Sequence, residues 1–147
     1  MKFDIVEYKD DDYNDFKDFY LQILFESHHF TPYDPKTLKE KLVEEDRYSF
    51  IIRENDKIIA HVSIARMGDL KNALTFGFAV LKDYQRMGIG KKMMEFVFEF
   101  TKKLGYKHII GTIHKNNYKS IIFNTKYGFN VIDDSDESVI RVEKTFV

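Results

Sequence analysis

Apolar residues recur along this chain with two periods. A period of two marks strands, and a period near 3.6 marks helices. Residues 3–8 read as a first strand, with Phe3 and Ile5 set against Asp4 and Val6. Asp10, Asp11 and Asp12 then precede a helical stripe of Tyr13, Phe16, Tyr20, Ile23 and Leu24. Acids placed there can cap the helix and suit its dipole. The segment 26–33 interrupts the stripe, and Asp34 and Pro35 restart it as N-cap and first helical residue, with Leu38 and Leu42 one turn apart. Residues 48–53 and 58–66 predict two strands joined by the turn Glu54-Asn55-Asp56-Lys57. After a loop, residues 73–81 predict another strand, and a long helix follows whose apolar stripe is Ile89, Met93, Phe96, Val97, Phe100 and Leu104, closed by Gly105 as C-cap. Residues 107–113 form a short apolar strand, followed by the polar run His114-Lys115-Asn116-Asn117 and a helix over about 118–126. Residues 129–132 and 138–147 close the chain as a second hairpin. The predicted order is β-α-α-β-β-β-α-β-α-β-β: an α/β chain with a mixed central sheet, read as a single domain over residues 1–147.

The strand over 73–81 and the helix after it enclose Gln85-Arg86-Met87-Gly88-Ile89-Gly90. The first amides of a helix have no intrahelical acceptor and point outward at the positive end of the dipole, which suits an anion. Glycines without Cβ atoms let a phosphate come close to that backbone. The loop is not a Walker loop: Gly90-Lys91-Lys92 lacks the hydroxyl, and Gln85 stands where the first glycine belongs. It is not a dinucleotide fingerprint either, because Met93 takes the place of the third glycine. What is left is Q-x-x-G-x-G between strand and helix.

Composition narrows the chemistry. The chain of 147 residues has 23 basic and 24 acidic side chains, a net charge of -1, and so no global pull toward nucleic acid or an anionic membrane. Cysteine is absent, which removes disulfides, a thiol nucleophile and Cys-ligated zinc. The five histidines, at 28, 29, 61, 108 and 114, form no H-x-x-x-H pair, so no metal is expected. No apolar run reaches membrane-spanning length and the acidic N-terminal stretch lacks a signal-peptide core, which gives a cytoplasmic expectation. His61 shares a strand face with Ile59, Ser63 and Ala65 and reads as a satisfied sheet histidine.

The Q-x-x-G-x-G loop resembles the acetyl-CoA loop of the GNAT superfamily of N-acetyltransferases. The approach Phe78-Ala79-Val80-Leu81-Lys82-Asp83-Tyr84 is similar to that family's fourth strand and turn, and the order of elements is that of the GNAT fold. A second signature falls where the family has one: Asn117, Ser120, Phe123, Asn124, Lys126, Tyr127, Gly128 and Phe129 resemble its N-x-x-A/S-x-x-L-Y-x-K-x-G-F segment.

The resemblance implies a GNAT-like fold and an N-acetyltransferase that uses acetyl-CoA and an amine acceptor, by direct attack in a ternary complex. It implies that backbone groups of Phe78, Ala79 and Val80 hold the pantetheine arm like an added strand, and that an amide near Val80 polarises the thioester carbonyl. Amides of Arg86, Met87, Gly88, Ile89, Gly90 and Lys91 would hold the pyrophosphate, with charge added by Arg86 or Lys91. Asn117 matches a position that bonds the CoA arm, and it is equally the N-cap of the next helix. Two departures stand out. Asn124 occupies the place of the family's tyrosine acid, where it can hydrogen-bond the sulfur but cannot usefully donate a proton. Thr112 stands where many relatives carry a basic glutamate.

His114 follows two residues later on the same predicted side of the strand, and imidazole suits base work near neutrality. It is the best available base, the alternative being a loop histidine in water, with His28 and His29 as weaker candidates. The alternative reading is a non-catalytic acyl-CoA-binding or regulatory module, favoured by the missing tyrosine. A nucleotide-binding or structural domain would bind no acetyl-CoA. The acceptor is not written in the sequence, and the expected state is a monomer or a homodimer.

Overall fold

The computed structural model describes residues 3–27, 37–44, 46–66 and 72–147. Its elements are β1 (Ile5–Glu7), a 3-10 turn (Asp10–Asp12), α1 (Tyr13–Glu26), α2 (Leu38–Leu42), β2 (Arg47–Glu54), β3 (Lys57–Arg66), β4 (Ala73–Val80), a second 3-10 turn (Lys82–Tyr84), α3 (Ile89–Lys103), β5 (His108–His114), α4 (Tyr118–Lys126), β6 (Asn130–Asp133) and β7 (Val139–Thr145). The strands form one seven-stranded sheet in the order β1-β2-β3-β4-β5-β7-β6. The pair β4–β5 is parallel, with Leu74 opposite Ile109 and Thr75 opposite Ile110, as a strand–helix–strand crossover through α3 requires. The pairs β1–β2, β5–β7 and β6–β7 are antiparallel. Both the α/β class and the element order read from the periodicity are present.

The described residues gather into two compact units. The first draws on Met1–Ile64 and Phe78–Phe96, the second on Ala65–Gly77 and Val97–Val147. In the first, α1 buries Phe16, Phe19, Tyr20 and Ile23, while Leu38 and Leu42 fill the apolar side of α2 as their spacing predicts. The core continues through Ile51, Ile52, Ile58, Ile59 and Ile64 of the β2–β3 hairpin. Full burial of each such side chain is worth about 1.5–3 kcal/mol, which is how a stripe of four residues fixes a helix against a sheet. In the second unit, Leu74, Val97, Ile109, Ile110, Phe129 and Val142 are buried together with Thr101.

Three boundaries differ from the sequence reading. β1 keeps only three paired residues; Phe3 and Tyr8 are buried outside it, and Val6 is exposed. The Asp cluster does not cap α1 through a side chain. Instead Asp12 accepts a hydrogen bond from Lys9 N–H at 2.8 Å, and Asp12 and Asp15 accept bonds from Arg53 at 2.7 and 2.9 Å. Burial opposes charge on Asp12, but the Arg53 bond prevails and holds its carboxyl below the usual range. Asp12 is thus tied into the fold, whereas Asp10 and Asp11 are exposed. Along α3 the deepest residues are Ile89, Met93, Met94, Val97 and Thr101, whereas Leu104 is exposed. Thr101 is buried at no cost to its hydroxyl, which donates to Val97 O at 2.7 Å. Gly105 ends α3 with φ 83°, and Tyr106 N–H donates to Thr101 O, as the C-cap reading requires. The restart at Asp34 and Pro35 lies outside the described residues.

Candidate functional site

The first unit carries the strand exit and the glycine loop. Phe78, Ala79 and Val80, the last residues of β4, are each half-buried. Leu81 is buried, and its N–H still reaches β3, donating to Ile59 O at 3.0 Å. The next amide turns away from the sheet: Lys82 N–H donates to the Glu26 carboxylate at the end of α1, at 2.8 Å. A 3-10 turn follows, with Tyr84 N–H on Leu81 O and Gln85 N–H on Lys82 O. Gln85 Nε2 reaches back to Val80 O at 3.1 Å. The Tyr84 hydroxyl is bonded to Glu54, whose carboxylate makes phenol ionisation harder and raises its pKa. Each of these bonds holds the backbone of the turn in place.

Beyond the turn the backbone enters left-handed conformations. Arg86 has φ 65° and Gly88 has φ 83°. For a non-glycine residue such as Arg86 this costs roughly 1–2 kcal/mol, strain of the kind that collects at ligand clamps. A Cβ built on Gly88 would meet no atom within 4 Å, so the space over that peptide is open. Arg86, Met87, Gly88 and Lys91 are exposed, whereas the Ile89 side chain is buried and pins the helix start. The helical ladder opens with Lys92 N–H on Gly88 O, so the amides of Ile89, Gly90 and Lys91 precede it. Open space, outward amides and adjacent cations suit a phosphate group, and that is how the residues of this loop fit a CoA pyrophosphate.

The same unit holds His61 on β3. Its ring meets Phe16 edge-on at 4.7 Å, and Nε2 is sealed from solvent without a hydrogen-bond partner. Burial, reinforced by the charge of Arg47, lowers its pKa to about 3. The imidazole is therefore neutral over the working range. The residue is half-buried and one ring nitrogen is unsatisfied, which corrects the expectation of a satisfied sheet histidine.

The second unit carries the other expected site residues. β5 runs through His114, so Thr112 and His114 lie on the same side of one strand, facing Arg141 and Val139 of β7. Thr112 is exposed and His114 half-buried. Asn117 caps α4, with its side-chain oxygen accepting from Ser120 N–H at 3.3 Å. Asn124 departs from its expected use. It is buried, and its Nδ2 donates to Ser120 O at 2.7 Å and to Ser120 Oγ at 3.3 Å. The donor that was expected to meet the sulfur is engaged within α4; the carbonyl Oδ1 is left, buried and without a partner. Tyr127 packs between Phe98 and Phe123, at ring distances of 6.2 and 4.9 Å. His28 and His29 lie outside the described residues.

Sequence reasoning passed over Glu26 and Glu54. Each meets the turn after β4 from a distant point in the chain, 56 residues away for Glu26 and Lys82, and no local pattern signals such a pair. Among the described residues no cluster of three or more metal-ligating side chains occurs, and no helix is long and apolar enough to cross a membrane.

Comparison with known proteins agrees with this geometry. The sequence model described as the acetyltransferase (GNAT) family matches residues 11–129. An acetyltransferase of the GNAT family from Streptococcus pneumoniae superposes with a TM-score of 0.81 at 15% identity, over 99% of this chain and 100% of that one. PaiA N-acetyltransferase from Thermoplasma acidophilum, solved in complex with coenzyme A, gives a TM-score of 0.84 at 17% identity, over 99% and 100%. The ribosomal-protein-S18-alanine N-acetyltransferase from Escherichia coli gives 0.80 at 21% identity, over 99% and 94%. In sequence, a probable N-acetyltransferase, san, from Drosophila melanogaster is 34% identical over 64 residues, which is 43% of this chain and only 35% of that relative. The aligned stretch thus spans about a third of that protein's length. The chain belongs to the acetyltransferase (GNAT) family.

Proposed function

We propose that this protein transfers an acetyl group from acetyl-CoA to an amine acceptor by direct attack in a ternary complex. The observation that carries the reading is the loop from Gln85 to Gly90: two left-handed residues and an open Gly88 peptide at the start of a fifteen-residue helix, in a chain of this family. Acetyl-CoA supplies the activated acyl group. Amides of Arg86 to Lys91 hold its pyrophosphate, with Arg86 and Lys91 adding charge. Backbone groups of Phe78, Ala79 and Val80 hold the pantetheine arm, and an amide near Val80 polarises the thioester carbonyl. Asn117 bonds the CoA arm while it caps α4. His114 takes the proton of the acceptor amine, directly or through water.

Asn124 enters as an acceptor. With Nδ2 committed to Ser120, only Oδ1 is left, and because it is buried it meets a donor on the bound thiol or arm only once the side chain shifts. The leaving sulfur then takes its proton from the ammonium formed on attack or from water, and binding the reactants side by side supplies most of the rate. The same observation supports a second reading, a non-catalytic acyl-CoA-binding or regulatory module, because no tyrosine acid stands at position 124.

The deciding experiment measures release of free CoA from acetyl-CoA with three amines: a short peptide with a free α-amino group, spermidine and kanamycin. Steady, enzyme-dependent release with at least one of them is expected. Tight acetyl-CoA binding with no release above the solvent rate for any of the three would favour the binding module.

A further inference from the structure

A helix end is a poor place for a carboxylate. The last carbonyls of α1 carry partial negative charge, and no basic residue stands in its last turn to offset it. Glu26 is nevertheless the last residue of α1, and both of its oxygens are engaged. Oε1 accepts from Lys82 N–H at 2.8 Å, and Oε2 accepts from Gln22 Nε2, one turn earlier on the same helix, at 3.0 Å. A local rule is broken where a distant contact is made, which is the pattern expected of a residue kept for a task beyond its own helix.

The contact falls at a specific place. Two consecutive peptide units at the exit of β4 are held through three bonds, each to a different partner. Gln85 Nε2 holds Val80 O, Ile59 O holds Leu81 N–H, and Glu26 holds Lys82 N–H. Lys82 is the first amide that the sheet no longer pairs, and it opens a 3-10 turn of three residues that offers it no acceptor. Without Glu26 this N–H would turn to water, the peptide would be held only through Leu81 O by Tyr84 N–H, and the added motion would pass to the adjoining Val80–Leu81 unit.

We propose that Glu26 is a positioning residue for acyl transfer, which fixes the exit of β4 so that the backbone at Val80 keeps its aim at the thioester carbonyl. The inference rests on the reading given above, in which Val80 grips that carbonyl. Glu26 takes no proton in this role. Its carboxylate is an acceptor braced by Gln22, and a neutral amide of the same length serves equally.

The test pairs Glu26→Ala with Glu26→Gln and measures steady-state kinetics, thermal midpoint and the amide exchange of Lys82 by NMR. Kinetics use acetyl-CoA and the most active of the peptide, spermidine and kanamycin. Glu26→Ala is expected to lower kcat about tenfold or more, with KM for acetyl-CoA within about threefold, because aim is lost and ground-state binding is not. Lys82 exchange should quicken in the same variant. Glu26→Gln should recover most of kcat and the slow exchange. Gln22→Met, which removes only the brace, should move kcat and exchange in the same direction by less.

Glu26→Gln as inactive as Glu26→Ala would overturn the positioning role in favour of proton transfer. Unchanged kcat, or unchanged Lys82 exchange, in Glu26→Ala would overturn it outright. Wild-type protein that binds no acetyl-CoA would overturn the underlying reading instead, and this inference with it.

Discussion

His61 makes stability depend on pH in a window that the shifted carboxylates leave clear. The perturbation is acidification from pH 7.5 to 5. In the folded chain the sealed Nε2 and the nearby Arg47 hold the imidazole pKa at about 3, against an ordinary value of 6.5. Because the folded pKa lies below the unfolded one, the unfolded chain binds more protons between these values, and stability is lost as pH falls through 6.5. At pH 5 the unfolded imidazole is almost fully protonated and the folded one is not, which amounts to at most about 2 kcal/mol relative to pH 7.5.

Asp12, Glu44 and Asp133, whose carboxyls are held below their ordinary values of 3.8, 4.5 and 3.8, also lose stability in acid, but mainly below those values. The stretch from pH 6.5 to 5 therefore reports histidine. Urea unfolding at pH 7.5, 6 and 5 should show the midpoint falling with acid in the wild type. In His61→Leu, which is close in volume and cannot take a proton, the fall should shrink by about 2 kcal/mol. Parallel falls in the two proteins would show that His61 takes up its proton in the folded state and refute the reasoning. The subtraction removes any contribution of His108, whose Nδ1 lies 3.8 Å from Glu143 Oε1, and of the other histidines.

Two further predictions concern the proposed reaction. His114→Ala should lower kcat/KM by roughly ten- to a thousandfold; an unchanged rate with a working acceptor would reduce His114 to a bystander. Asn124→Ala should lower kcat less than tenfold, because its donor already serves Ser120, and Asn124→Tyr should cost about 1–3 kcal/mol of stability, because the position is buried. A hundredfold loss of kcat in a well-folded Asn124→Ala protein, or an Asn124→Tyr protein as stable as wild type, would contradict the buried, self-bonded placement.

Much of the fold was legible because it follows from local periodicity. Leu38 and Leu42, the long stripe of α3, the Gly105 cap and the Asn117 cap each rest on neighbours within a turn or two. The glycine loop was legible for the same reason, since a strand, two glycines and a helix start stand next to one another. What stayed hidden depends on burial or on partners far along the chain. Asn124 looks like an exposed helix residue until Ser120 and burial claim it. Thr101 looks polar until its hydroxyl bonds Val97 O. The Asp10–Asp12 cluster suggests a cap until Arg53, 41 residues from Asp12, takes the carboxylate. Glu26 and Lys82 could not be paired by any pattern. Such contacts are set by tertiary packing, which overrides propensity where the two differ.

The central claim is that the backbone around Gly88 binds the phosphates of acetyl-CoA, and titration calorimetry of a Gly88→Asn variant addresses it most directly. Asparagine tolerates a φ of 83° better than other side chains, so the loop keeps its conformation, while the added atoms enter the open space over the peptide. Wild-type protein should bind acetyl-CoA, and Gly88→Asn, folded with a slightly lowered thermal midpoint, should bind it at least about tenfold more weakly, a loss of roughly 1.4 kcal/mol. Equal affinity in a folded Gly88→Asn protein would contradict the claim.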